Sequence, residues 1–100
     1  MGLELELHVP ASLPYFPHHF PDHGMLPGVV QLGWAILFAA RHLGFDGPMR
    51  KVTNLKFLHP IQPGTDLTLS LERVGERDVA FSYSTPRRQC SSGRLKFVDV

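Results

Sequence analysis

Three imidazoles crowd one short stretch of this chain: His18, His19 and His23 lie between Ala11 and Pro27, beside Asp22 and among Pro14, Pro17, Pro21, Gly24 and Pro27. An imidazole with a pKa near ~6.5 exchanges protons at neutral pH without tuning, so the first chemistry to consider is proton abstraction and return. Metal binding is the second. His19 and His23 are spaced like a helical ligand pair, but Pro21 and Gly24 interrupt any helix there and no Cys or Glu completes a ligand set. Neither a metal nor a cofactor is therefore expected. For His18 and His23 the ordinary reading is a solvated turn residue, and Asp22 suits a turn cap as well as it suits catalysis.

A proline-rich segment of this length inside a small domain is costly unless it binds or reacts with something, and it needs a rigid frame to hold it. The apolar run from Met25 to Ala40 supplies one part of that frame. It is broken by Pro27, Gly28, Gln31 and Gly33 and is shorter than the ~20 residues of a membrane span, so it reads as a buried helix. Pro27 and Gly28 suit a helix start, Arg41 and His42 suit the last turn, and Gly44 can close the end, which places the helix at residues 28 to 43. Val29, Val30, Leu32, Trp34, Ala35, Ile36, Leu37 and Phe38 cover every face of it, the pattern of a helix wrapped all round.

The wrapping is written on both sides. Leu3, Leu5 and Leu7 alternate with Glu4, Glu6 and His8 at the period of a half-buried strand. After the helix, residues 52–58, 66–74, 78–84 and 94–98 are rich in Leu, Val, Phe and Thr, and Pro60, Pro63, Gly64, Gly75, Pro86 and the run Ser91 to Gly93 read as the turns between them. The expected fold is α+β, an antiparallel sheet curled around one helix, in a single domain spanning residues 1–100. An edge strand rich in Phe, Tyr and Val, such as Val79 to Tyr83, would otherwise be exposed to uncontrolled pairing, which argues for an oligomer.

Composition narrows the function classes. Ten Lys and Arg against nine Asp and Glu give a net charge of +1, and the longest like-charged runs are Arg50-Lys51 and Arg87-Arg88, so a nucleic-acid module is not expected. The single Cys90 has no internal disulfide partner, and the acidic start Met1 to Glu6 lacks the basic region of a signal peptide; both suit a reducing cytoplasm. Arg50, Lys51, Arg87 and Arg88 read as solvated surface that also attracts an acidic partner.

The string His19-Phe20-Pro21-Asp22-His23-Gly24-Met25-Leu26-Pro27-Gly28-Val29-Val30 resembles the active-site motif of hot-dog-fold 3-hydroxyacyl-[acyl carrier protein] dehydratases, and Lys56 to Asp66 is similar to the same family's strand and turn after the helix. Within that family the Pro-Gly-Val-Val-Gln-Leu segment and the compact length are most similar to dehydratases of aryl-polyene-type pathways. The resemblance implies conversion of 3-hydroxyacyl thioesters on acyl carrier protein to trans-2-enoyl thioesters. It assigns His19 as the catalytic base and the backbone N–H of Gly28 as the donor to the thioester carbonyl. Such a donor is what the reaction needs, because removing the alpha proton builds negative charge on that oxygen. Phe20, Met25, Leu26, Val29, Gly33 and Trp34 are the candidate substrate-binding residues, although Met25 and Trp34 serve a core equally well.

One position departs from the family pattern. The family's helix carboxylate lies fourteen positions after the histidine, and here that position is Gly33, about one and a half turns into the helix and expected to face the same cleft as Gly28. A glycine there serves close packing or leaves volume for a ligand. Three outcomes stay open: His19 acts as both base and acid, Asp22 or His23 replaces the missing acid, or the chain binds acyl groups as a non-catalytic partner subunit. A thioesterase is a further alternative, since the same helix start can polarise a thioester for attack by water. The family's edge-to-edge pairing of subunits implies a homodimer, or a mixed dimer whose other chain supplies the acid.

Overall fold

The computed structural model describes residues 2–10, 25–45 and 48–97. Strand β1 (Gly2–His8) is followed by helix α1 (Gly28–Leu43) and then by β2 (Met49–Phe57), β3 (Asp66–Arg73), β4 (Asp78–Ser84) and β5 (Gln89–Phe97). The five strands form one antiparallel sheet in the order β1-β3-β4-β5-β2, with α1 against one face. The expected α+β arrangement is thus the observed one.

Period-two alternation sets the sheet's inner face. Leu3, Leu5 and Leu7 of β1 stand opposite Leu71, Leu69 and Leu67 of β3, and the inward series continues through Val79, Phe81 and Tyr83 of β4 to Leu95 and Phe97 of β5. Helix α1 meets this layer through Gln31, Ala35 and Ala39, a stripe at i, i+4 and i+8 whose small side chains let the helix lie close to the sheet. Gly44 closes α1 in the left-handed conformation at φ 77°, its N–H reaching the carbonyl of Ala39.

The structure corrects several sequence expectations. Helix α1 is not wrapped all round: Val29 is 75% exposed, Leu37 is 46% exposed and Gly33 lies between them on the same open face. The apolar residues on that side made the helix read as enclosed, yet in the single chain the sheet covers only the opposite stripe. Strand β4 lies in the interior of the sheet, and the edges are β1 and β2. Ser91 to Gly93 is no turn but the middle of β5, where Gly93 faces inward because a Cβ there would lie 2.7 Å from the Phe81 ring. Strand β5 therefore begins at Gln89 instead of residue 94. Strand β2 begins at Met49 instead of residue 52, and β3 and β2 each end one residue earlier than expected.

Strand β2 hid its start because it breaks strict alternation. Its pairing with β5 shifts between Met49 and Lys51 and again between Thr53 and Lys56, where Asn54 adopts φ 55°. Each shift absorbs one extra residue of β2, so Met49, Val52 and Phe57 pair with the inward-facing Phe97, Leu95 and Ser91 despite odd spacings.

Candidate active site

The start of α1 is pinned from several directions. Leu26, buried at 1% exposure, donates its N–H to the carbonyl of Ile61 at 2.8 Å and accepts the side-chain Nε2 of Gln31 at 3.0 Å. The carbonyl of Pro27 accepts the N–H groups of Val30 at 3.0 Å and Gln31 at 3.1 Å. The peptide joining Pro27 to Gly28 is planar and trans, so with its carbonyl held along the helix its N–H points the other way, out of the helix N-terminus. No side chain caps this end, and among the described residues the N–H groups of Gly28 and Val29 have no acceptor. Two oriented donors thus stand at the positive end of a sixteen-residue helix.

Beside them opens a cavity of about 340 Å³, walled by Met25, Leu26, Gly28, Phe57, Leu58 and His59 with Gln31 at its base. Gly28 gives the Phe57 ring its place on the helix start: a Cβ would lie 2.6 Å from Cζ of that ring. The wall is apolar and partly open, since Met25, Phe57 and Leu58 are each about half exposed. At the rim, Arg88 Nη1 lies 3.2 Å from His59 Nδ1. A guanidinium only donates, so in this contact Nδ1 is the acceptor. A second cavity of about 270 Å³ shares His59 and Pro60 with the first and is edged by Thr85, Arg87 and Arg88. Cys90 lies beneath it, its thiol pushed up by burial against the opposing charge of Arg88. The larger hollow of about 380 Å³ lies on the outer face of the sheet around Ser70, Ser82 and Ser92, away from both helix-start donors.

The candidate residues divide accordingly. Gly28, Met25 and Leu26 meet at the cavity, whereas Val29 and Gly33 lie on the open face of α1 and do not line it. Gly33 does not share the Gly28 cleft, and among the described residues nothing stands within 4 Å of where its Cβ would be. Trp34 lines a separate groove of about 240 Å³ with Leu7, His8, Pro10, Leu37 and Phe38. His18, His19, Phe20, Asp22 and His23 lie outside the described residues. Sequence reasoning gave no role to Phe57, His59, Tyr83 or Ser91. Only Gln31 carried a signal, as the polar residue inside an apolar helical run.

Comparison with known proteins shows the family of the chain. The family model described as ApeI-like, ApeI dehydratase, matches residues 2–94. The chain belongs to the ApeI-like dehydratase family. The 3-hydroxyacyl-[acyl-carrier-protein] dehydratase FabZ of Ruminiclostridium cellulolyticum is 27% identical over 100 residues, covering 89% of this chain and 70% of that protein. The FabZ of Brucella ovis is 32% identical, and the match covers 70% of this chain but only half the length of the Brucella protein. Among solved structures, an uncharacterised protein of Erwinia carotovora subsp. atroseptica superposes with a TM-score of 0.87 at 36% identity, covering 99% of this chain and 84% of that one. The dehydratase heterocomplex ApeI:P of Xenorhabdus doucetiae superposes at 0.86 with 27% identity, covering 98% and 88%. Thioesterases and the R-hydratase PhaJ1 of Pseudomonas aeruginosa, at 14–21% identity, share the fold alone. The glycine at position 33, where the resemblance places a helix carboxylate, is the feature most in need of a chemical account.

Proposed function

We propose that this ApeI-like protein dehydrates 3-hydroxyacyl thioesters carried on acyl carrier protein, giving trans-2-enoyl thioesters and water. The observation that carries the reading is the fixed Pro27–Gly28 peptide, whose N–H is turned out of the helix beside an apolar cavity. A thioester carbonyl bound there receives a hydrogen bond that strengthens as its oxygen becomes an oxyanion, and the helix dipole adds to that stabilisation. His19 is assigned to remove the proton from C2. The C2 electron pair forms the double bond to C3 as the C3–O bond breaks, and the departing hydroxyl takes a proton to leave as water. Gly33 has no carboxyl to supply that proton, so His19, having gained the C2 proton, is assigned to return it. Phe20, Met25 and Leu26 are assigned to the acyl group.

The carrier protein is acidic chemistry's natural fit to the Arg87 and Arg88 rim beside His59, and it brings the acyl chain on a flexible phosphopantetheine arm. The open stripe Val29, Gly33 and Leu37 and the edge position of β2 support a dimer, homomeric or mixed, and the single Cys90 suits a reducing cytoplasm. Gly33 itself favours one second reading, a partner subunit that binds acyl groups and leaves the chemistry to another chain. Purified protein incubated with 3-hydroxyacyl carrier protein separates the readings by product. Enoyl thioester that disappears in a folded His19→Ala variant supports the enzyme, free acid would indicate a thioesterase, and no product would leave the binding subunit.

A further inference from the structure

We infer that Gln31 is the positioning residue for the Gly28 N–H, setting the direction of the donor from the base of the cavity. This rests on the reading of Gly28 as the thioester donor. Gln31 is a polar side chain at 4% exposure in the contact between α1 and the sheet, a place where its neighbours Ala35 and Ala39 are small and apolar. Every polar group it owns on this side is used. Its Nε2 donates to Leu26 O at 3.0 Å, its Oε1 accepts from Ser91 Oγ at 2.7 Å, and its backbone carbonyl accepts from Tyr83 OH at 2.7 Å. Its own N–H takes Pro27 O.

Gln31 therefore holds both carbonyls that precede Gly28, one through its side chain and one through its backbone, while hanging from β5 by Ser91 and from β4 by Tyr83. The alanine stripe resists sliding of the helix along the sheet only weakly, because methyl groups give few interlocking contacts; directional hydrogen bonds resist it strongly. A carboxamide is the group that suits the position, since it donates and accepts from one planar end. Glutamate would lose the bond to Leu26 O, and methionine would lose both side-chain bonds at nearly unchanged volume. The consequence for chemistry is angular: a donor aimed by a loosened strap still binds the ground-state carbonyl but meets the oxyanion poorly.

Three variants test this: Gln31→Met, Ser91→Ala and the pair combined. Gln31→Met is expected to lower kcat for dehydration ~10- to 100-fold while KM moves by less than about threefold, because the apolar wall that binds the acyl group stays in place. Adding Ser91→Ala removes the hydroxyl orphaned by the first change, so the melting temperature recovers while kcat stays low, Leu26 O still lacking its donor. A kcat that recovers together with melting temperature, or a Gln31→Met enzyme at the wild-type rate, overturns the inference. A second readout needs no turnover: the Gly28 amide proton is followed by NMR during titration with butanoyl pantetheine, a saturated thioester. A downfield shift in the wild type that shrinks in Gln31→Met supports the inference. Equal shifts in both proteins, or none in the wild type, overturn it. A wild type that shifts its amide but forms no enoyl product retires the enzymatic reading and leaves Gln31 as the positioning residue of a binding site.

Discussion

The contact between Gly28 and Phe57 makes Gly28→Ala the most informative single change. A Cβ at that position would lie 2.6 Å from Cζ and 3.1 and 3.3 Å from the Cε atoms of the ring, against the ~3.5–4.0 Å of ordinary carbon contacts, so the ring must withdraw by about 1 Å. Overpacking a closed core costs ~1–3 kcal/mol, but Phe57 is 53% exposed and can swing outward, which puts this site at the low end. Alanine is also favoured over glycine in a helix by up to ~1 kcal/mol, which offsets part of that cost. The net change in stability is expected to stay within about 1 kcal/mol, a shift of roughly 4–8 °C at most for a domain of this size. Turnover should suffer far more. The methyl group and the displaced ring fill the space beside the N–H that a carbonyl oxygen must enter, and loss of one such donor costs ~10²- to 10³-fold in kcat. The assay is formation of enoyl thioester by wild type, Gly28→Ala, Phe57→Ala and the double variant, with thermal melts of all four. The double variant should recover stability, since the clash is gone, without recovering turnover. Full turnover in a folded Gly28→Ala protein would refute the assignment of this N–H to the carbonyl. Full turnover in the double variant alone would move the effect from the backbone to the ring.

Gly33→Ala should raise the melting temperature, because among the described residues the new methyl group meets nothing within 4 Å and the helix gains up to ~1 kcal/mol; a lowered melting temperature would refute the expectation and mean that the partner of the dimer packs tightly on that face. Tyr83→Phe removes the buried bond to Gln31 O and should cost about 1 kcal/mol by denaturant titration. Burial raises the Tyr83 pKa above its ordinary value of 10.0, so its contribution to stability is complete below pH 10 and falls as pH rises from there toward the folded value; in Tyr83→Phe that alkaline decline should be shallower. Sedimentation at micromolar concentration should give about twice the 11.2 kDa chain mass, and a folded monomer would remove the open stripe of α1 as an argument for assembly.

Much of this architecture is legible in the residues because alternation and helical spacing answer directly to burial. Leu3, Leu5 and Leu7 declared β1, and the Pro27–Gly28 start and Gly44 stop bounded α1 to the residue. Where reading failed, a local rule was overridden by pairing. The run Ser91 to Gly93 has turn composition, yet it is held in β5 between β4 and β2, and Gly93 is there to clear a phenyl ring. Strand β2 defeated period-two reading because it absorbs two extra residues. At the site, the motif pointed to Gly28, whereas Phe57, Ser91 and Tyr83 arrive from strands twenty-nine to sixty-three residues further along the chain, a proximity that spacing cannot reveal. The identity of Gly33 was plain in the sequence, but its exposure was not, since an apolar helix looks alike from all sides until the sheet chooses one.

The strand order also carries a timetable. Strands β3, β4 and β5 form a local meander, each pairing with the next as soon as it is made, whereas β1 must wait for β3 and β2 must wait for β5. During synthesis, therefore, the strand that brings Phe57 onto Gly28 finds its partner only after the last of the five has left the ribosome. Ser91, which anchors the helix start, arrives on that same final strand. Until then the nascent chain holds a helix with an apolar stripe and an unpaired β2, the kind of species that chaperones retain. The binding cleft is thus the last part of the molecule to exist, and a chain stalled before β5 would have most of its strands and none of its site.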